Sequence, residues 1–183
     1  MLVPAEVWTI AKSDAGSAVL IKPVGSDVAV PIFIGPAEAH SILIGLANHK
    51  MPRPFTHDLF LSTLKQTGIT IKRIEITELK EGTFYARLLV KQLEEELSID
   101  ARPSDCIALA VRVKCPIYID EAVVDETGIP LSSGGEEIAT RKGETESQLI
   151  TLRQQLKEAV EVENYEEAAV LRDKINKLQQ DIE

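Results

Sequence analysis

The chain has 183 residues, 44% of them hydrophobic and 27% charged, and a formal net charge of −9. That length can bury a core and suggests one domain with an appendage, while no run approaches the roughly 18 apolar residues that span a bilayer. Residues 1–131 hold 13 basic against 17 acidic side chains and residues 132–183 hold 7 against 12, so neither part has the basic excess that grips nucleic acid by backbone neutralisation.

The opening stretch, MLVPAEVWTIAK, lacks a basic segment ahead of an apolar core and a small-residue cleavage signal, so no export sequence is expected. AEVWTI alternates, SDAG supplies turn residues before SAVLIKP, and VGSD turns the chain again before VAVPIFI. Three antiparallel strands follow from that pattern. At Gly35 the period changes: Pro36 suits a first helical turn, and Ile42, Leu43, Leu46 and Ala47 recur at helical spacing, which predicts a helix over 36–48.

Pro52 and Pro54 hold MPRPF extended. A second helix then starts in THDLFLSTLKQTG, with Thr56 as N-cap, Asp58 as first-turn negative charge and Gly68 as left-handed stop. ITIKRIEITEL and TFYARLLVK alternate around KEG, a hairpin signal, and EELSID reads as a further strand. The segment IDARPSDCIALAVR leads into a third helix, apolar on most sides and therefore buried, with PIYID a short strand beyond it. Cys106 and Cys115 lie in apolar surroundings, which fits free thiols of a reducing compartment better than a disulfide framework. The expectation is a cytoplasmic protein.

From about Gly128 the composition turns to Gly, Ser and charge, as in a flexible linker. Leu149, Leu152 and Leu156 then recur with helical spacing, and Ala168, Leu171, Ile175, Leu178 and Ile182 follow at threes and fours, a narrow coiled-coil seam. Asn164 with Glu167 offers a capping box between the two runs. The predicted class is α+β. A mixed, mostly antiparallel sheet with about three packed helices occupies 1–131, a linker 132–146, and an antiparallel helical hairpin 147–183. So small a hairpin leaves its seam under-buried and should pair with a copy of itself or with another protein.

Three polar knots stand at element ends. Asp100, Arg102, Ser104 and Asp105 surround Pro103. Arg53, Thr56, His57 and Asp58 open the second helix. Glu38 and His40 lie two apart on the first helix, so they point to different sides and make a poor metal pair. Capping accounts for Ser104, Asp105, Thr56 and Asp58, and an Arg102–aspartate pair is structural on the same reading. Alternatively, helix N–H groups and an arginine receive an anion while paired carboxylates hold a divalent cation. No phosphate loop with lysine, nucleophile elbow, H-E-x-x-H or paired C-x-x-C is present. Cys106, inside an apolar helix, is a poorly ionised thiol.

PRPFTHDL together with DARPSDCIALAVR, supported by PIFIGPAEAHSI and GTFYARL, resembles the bifunctional nuclease domain family from about Leu2 to Gly128, with Cys106 where the family leads one to expect alanine. The tail, LRQQLKEAVEVENYEEAAVLRDKINKLQ, resembles the UVR motif of the excision-repair subunits UvrB and UvrC from about Gln148 to Ile182. The first resemblance implies hydrolysis of phosphodiester bonds in DNA and RNA by an oligomeric α+β domain, and the second a hairpin for protein association. On the enzymatic reading, Asp100, Asp105 and Asp58 hold Mg²⁺ or Mn²⁺. Arg102 and Arg53, flanked by Thr56 and Ser104, contact the substrate phosphate, and His57 is general base or acid. No organic cofactor is expected, and the acidic charge implies weak nucleic-acid binding. Two other readings stay open: a non-catalytic module that binds an anion or protein and assembles through the hairpin, and charged motifs that only hold the fold.

Overall fold

A computed structural model describes residues 1–13, 16–48 and 52–131, and in the tail residues 152, 155, 156, 164, 168 and 170–174. The first three strands form an antiparallel meander: β1 Leu2–Ser13, β2 Gly16–Pro23 and β3 Val28–Ile34. Two helices follow, α1 Pro36–Leu46 and α2 Thr56–Gln66. A second meander comprises β4 Ile69–Lys80, β5 Thr83–Gln92 and β6 Glu95–Ala101. The β4–β5 turn has positive φ at both Glu81 and Gly82, the two-residue geometry that matches strand twist.

α3 Pro103–Val113 then crosses over the sheet, and β7 Ile117–Asp120 enters between the meanders, parallel to β4 and antiparallel to β1. The chain closes with α4 Glu121–Thr127 and β8 Ile129–Pro130, the latter against β3. The result is one eight-stranded mixed sheet, ordered β6-β5-β4-β7-β1-β2-β3-β8.

Strand alternation sorts the side chains. Val19, Ile21, Ile74, Ile76, Ala86, Leu88 and Val90 face the helices and build the main core with Ile42 of α1 and Ile107 of α3. Ala18, Leu20 and Ala29 point to the opposite face, where Ile129 and Leu131 cover them. This explains why β2 reads as a nearly unbroken apolar run: it is buried on both sides.

Two details differ from the sequence reading. A fourth helix stands at Glu121–Thr127, seven residues long, capped by Asp120 through a 3.0 Å bond from the Ala122 N–H; its shortness hides its period. Gly128–Leu131 is not linker, because Ile129 is buried and the Leu131 N–H bonds the Asp27 carbonyl at 2.8 Å. The expected linker, 132–146, lies outside the described residues. In the tail, helical Leu152 and Leu156 pack against helical Ala168 and Leu171, and the Ala168 N–H bonds the Asn164 carbonyl at 3.0 Å. That contact is the one an antiparallel hairpin makes. Glu167 and the remaining seam positions, among them Ile175, Leu178 and Ile182, lie outside the described residues.

Candidate functional site

α1, α2 and α3 lie on one face of the sheet and bring their polar edges together. Glu38 and Ser41, three apart on α1, share a side of that helix. Asp105, Ala108 and Arg112 of α3, at spacings of three and four, share another. His57 and Asp58 come from the first turn of α2.

These side chains form one continuous chain of polar contacts. Arg102 donates to Asp105 twice, Nε to Oδ2 at 2.8 Å and Nη2 to Oδ1 at 3.2 Å, and its Nη1 donates to Glu38 Oε1 at 3.2 Å. Asp105 Oδ1 also lies 3.6 Å from His57 Nε2. On the other side of the ring, His57 Nδ1 is 2.9 Å from Ser41 Oγ. Arg112 Nη2 donates to that same Oγ at 3.3 Å, while its Nε donates to Asp58 Oδ1 at 3.0 Å and its Nη1 to the Ala108 carbonyl at 2.7 Å.

The charges fix the tautomer. A neutral ring with a lone pair at Nε2 would face the Asp105 carboxylate unfavourably, so Nε2 carries the proton and Nδ1 is the acceptor. The arginines hold this frame. Arg112 is 7% exposed and needs all three of its acceptors, whereas Arg102 is 66% exposed and sits at the rim. Bonding to Asp105, then Glu38, raises the Arg102 pKa further above its ordinary value, so it stays a cation throughout.

The capping account of the aspartates holds only in part. Asp58 does reach back, its Oδ2 accepting the Phe55 N–H at 3.0 Å, which makes Phe55 rather than Thr56 the N-cap of α2. Asp105 caps nothing: α3 starts from Arg102 without any side-chain cap, and the Asp105 carboxylate turns to Arg102 and His57. A carboxylate withdrawn from helix N–H groups and placed beside an imidazole is an acid–base arrangement.

Asp100 does not join the cluster. Ala101 packs on the helix side of β6 and pairs with buried Ala86, so Asp100, one residue earlier and paired with Arg87, projects from the opposite face of the sheet. The expected metal trio of Asp58, Asp100 and Asp105 is therefore not assembled. Among the described residues no three His, Cys, Asp or Glu side chains gather as a metal-holding group. Both oxygens of Asp58 and of Asp105 already serve N–H donors, a donor set that does not fit a divalent cation. Ser104 is buried in the first turn of α3, and Arg53 and Thr56 are exposed, outside the bonded chain.

Sequence reasoning missed Ser41 and Arg112 and separated Glu38 from its real partner. The available signals were the three-residue spacing of Glu38 and Ser41 and the seven-residue spacing of Asp105 and Arg112. Cys106 lies next to the cluster but is buried, and burial together with the Asp105 charge pushes its thiol up to about 12. No helix among the described residues is long and apolar enough to cross a membrane.

Comparison with known proteins adds a family to this geometry. A model described as the bifunctional nuclease domain matches residues 19–132, and one described as the UvrB/uvrC motif matches residues 146–181. An uncharacterized protein of Mycobacterium tuberculosis is 38% identical over 121 residues, covering 66% of this chain and 72% of that protein. Bifunctional nuclease 1 of Oryza sativa subsp. indica is 30% identical over 108 residues, 57% of this chain and 33% of the relative. Bifunctional nuclease 2 of Arabidopsis thaliana is 24% identical over 183 residues, 89% of this chain and 56% of the relative.

Proposed function

Since the chain belongs to the bifunctional nuclease domain family, which spans residues 19–132, we propose that it hydrolyses phosphodiester bonds of DNA or RNA at the His57 cluster. The observation that carries this reading is the His57 ring, 20% exposed, clasped between Ser41 Oγ and Asp105 Oδ1 beside the exposed Arg102. His57 moves protons at Nδ1, and Asp105 stabilises the imidazolium that forms. Arg102 spends three N–H donors on Asp105 and Glu38. A guanidinium has five, so two remain for a phosphate oxygen.

The electrostatics set the strength of binding. Arg102 and Arg112 face Glu38, Asp58 and Asp105, so the cluster is one charge negative while His57 is neutral and balanced once it is protonated. Added to the net −9, this supports weak, transient engagement of a polyanion. The tail, with its UvrB/uvrC match and its Leu152–Leu171 packing, is assigned to protein association, with a second copy of the chain as one such partner.

The test is release of nucleotides from single- and double-stranded DNA and RNA by the purified protein and by a folded His57→Gln variant. Loss of release in the variant supports the reading. Equal release by both identifies a contaminating nuclease and removes it. The competing reading, a non-catalytic docking module, predicts no release by either protein and loss of partner capture when the chain is cut after Leu131.

A further inference from the structure

We propose that Ser41 is the nucleophile of this site and carries a phosphoseryl intermediate, an inference that rests on His57 being the proton-transfer group. The side chain behaves unlike four other hydroxyls at helix positions among the described residues. Ser62, Thr63, Thr67 and Thr127 each bond back to the carbonyl four residues earlier, at 2.7–3.0 Å, the usual resting place of a hydroxyl inside a helix. Ser41 instead turns away from α1 and meets two groups from other helices, His57 Nδ1 at 2.9 Å and Arg112 Nη2 at 3.3 Å.

Those two partners define its chemistry. A hydroxyl has one proton and two lone pairs. Arg112 donates to one lone pair, and Nδ1, unprotonated because Nε2–H faces Asp105, takes the proton. Serine, histidine and aspartate thus stand in the order of the nucleophilic triad, with the two ring nitrogens exchanged; such triads are recognised by geometry and role. The nearly buried Arg112 cation beside Oγ stabilises negative charge there as the proton leaves.

The chemistry balances with water as the only co-reactant. Ser41 Oγ attacks phosphorus of the diester, His57 Nδ1 receives the hydroxyl proton, and one P–O bond breaks. The leaving alkoxide takes that proton from His57 and departs as an alcohol. Water then attacks the phosphoseryl phosphorus, gives its proton to Nδ1, and Ser41 leaves and is reprotonated. The sum is diester plus water giving monoester plus alcohol.

The probe is diisopropyl fluorophosphate, whose phosphorus loses fluoride to an activated serine oxygen. The full-length protein is treated and its peptides are sequenced by mass spectrometry. The expected result is one adduct, on Ser41, absent from a Ser41→Ala variant and forming at least about tenfold more slowly in a folded His57→Gln variant. No adduct on Ser41 in the wild type overturns the proposal without recourse to any variant, as does equal labelling with and without His57. The two readings separate cleanly. Nuclease activity retained in full by Ser41→Ala removes the nucleophile and leaves the nuclease. An adduct on Ser41 in a protein that degrades no nucleic acid leaves the nucleophile and removes the nuclease.

Discussion

Arg112 Nε and Asp58 Oδ1 lie 3.0 Å apart across 54 residues of sequence, and through this pair α3 fixes the start of α2. Arg112 is nearly buried and its three nitrogens serve three acceptors on three helices. Lysine cannot replace that planar fork. Arg112→Lys should therefore lower stability by about 2–3 kcal/mol, below the full cost of breaking a buried pair because Asp58 is one-third exposed and partly screened by water. Urea unfolding measures this. A variant as stable as wild type would show that the network does not hold the helices.

At Gly45, α1 lies close against α3. A methyl group added there would lie 2.5 Å from Val111 Cγ2 and 3.0 Å from Arg112 Nη1. The branched valine side chain is stiff, so the helices must part or Arg112 must move. Alanine contributes up to about 1 kcal/mol of helix propensity over glycine, while overpacking costs about 1–3 kcal/mol. Gly45→Ala should lose about 1 kcal/mol in thermal or urea unfolding, and its nucleolytic rate should fall as well. A stabilised, fully active protein would contradict the packing argument.

The fold was legible to the extent that periodicity is local. β1 through β7 and α1 to α3 follow from alternation, proline placement and glycine stops, each a property of a few consecutive residues. The site was only half legible. Asp105 stands out because charge at the mouth of an apolar helix is costly and needs a reason, and His57 because capping of its helix does not need it. Ser41 and Arg112 looked ordinary, one a serine within a helix and the other a cation near a helix end, because their meaning lies in which helix faces which. Asp100 misled for the same reason. Five residues from Asp105 in sequence, it belongs to a strand whose alternation sends it to the far side of the sheet.

Cys106 gives the protein a defined alkaline weakness. Burial, and then the Asp105 charge, pushes its thiol from 9.0 up to about 12, and burial pushes Cys115 up to about 11. Both folded values lie above the unfolded one. The thiols' contribution to stability is complete below about pH 9, and above it the unfolded chain releases protons that the folded chain keeps, so that contribution falls until the folded thiols ionise in turn. Thermal melts across that range should show a shallower decline for Cys106→Ala and a shallower one still for Cys106→Ala/Cys115→Ala. Slopes identical to wild type would assign the alkaline loss to other groups.

The two aspartates that flank Pro103 should part company in function. Asp105 faces the His57 ring, while Asp100 stands opposite Arg87 on the other face of the sheet. Asp105→Asn removes the charge that stabilises imidazolium and frees Arg102 from its strongest partner, so the nucleolytic rate should fall by about 10²-fold or more. Asp100→Asn changes neither the ring nor the arginines and should leave the rate unaltered. Chelation separates the readings further. Both oxygens of Asp58 and of Asp105 serve N–H donors, so hydrolysis should persist in EDTA. Abolition by EDTA with restoration by Mn²⁺, together with an inactive Asp100→Asn, would require the two faces of the sheet to share one ion and would overturn the arrangement of the site around His57.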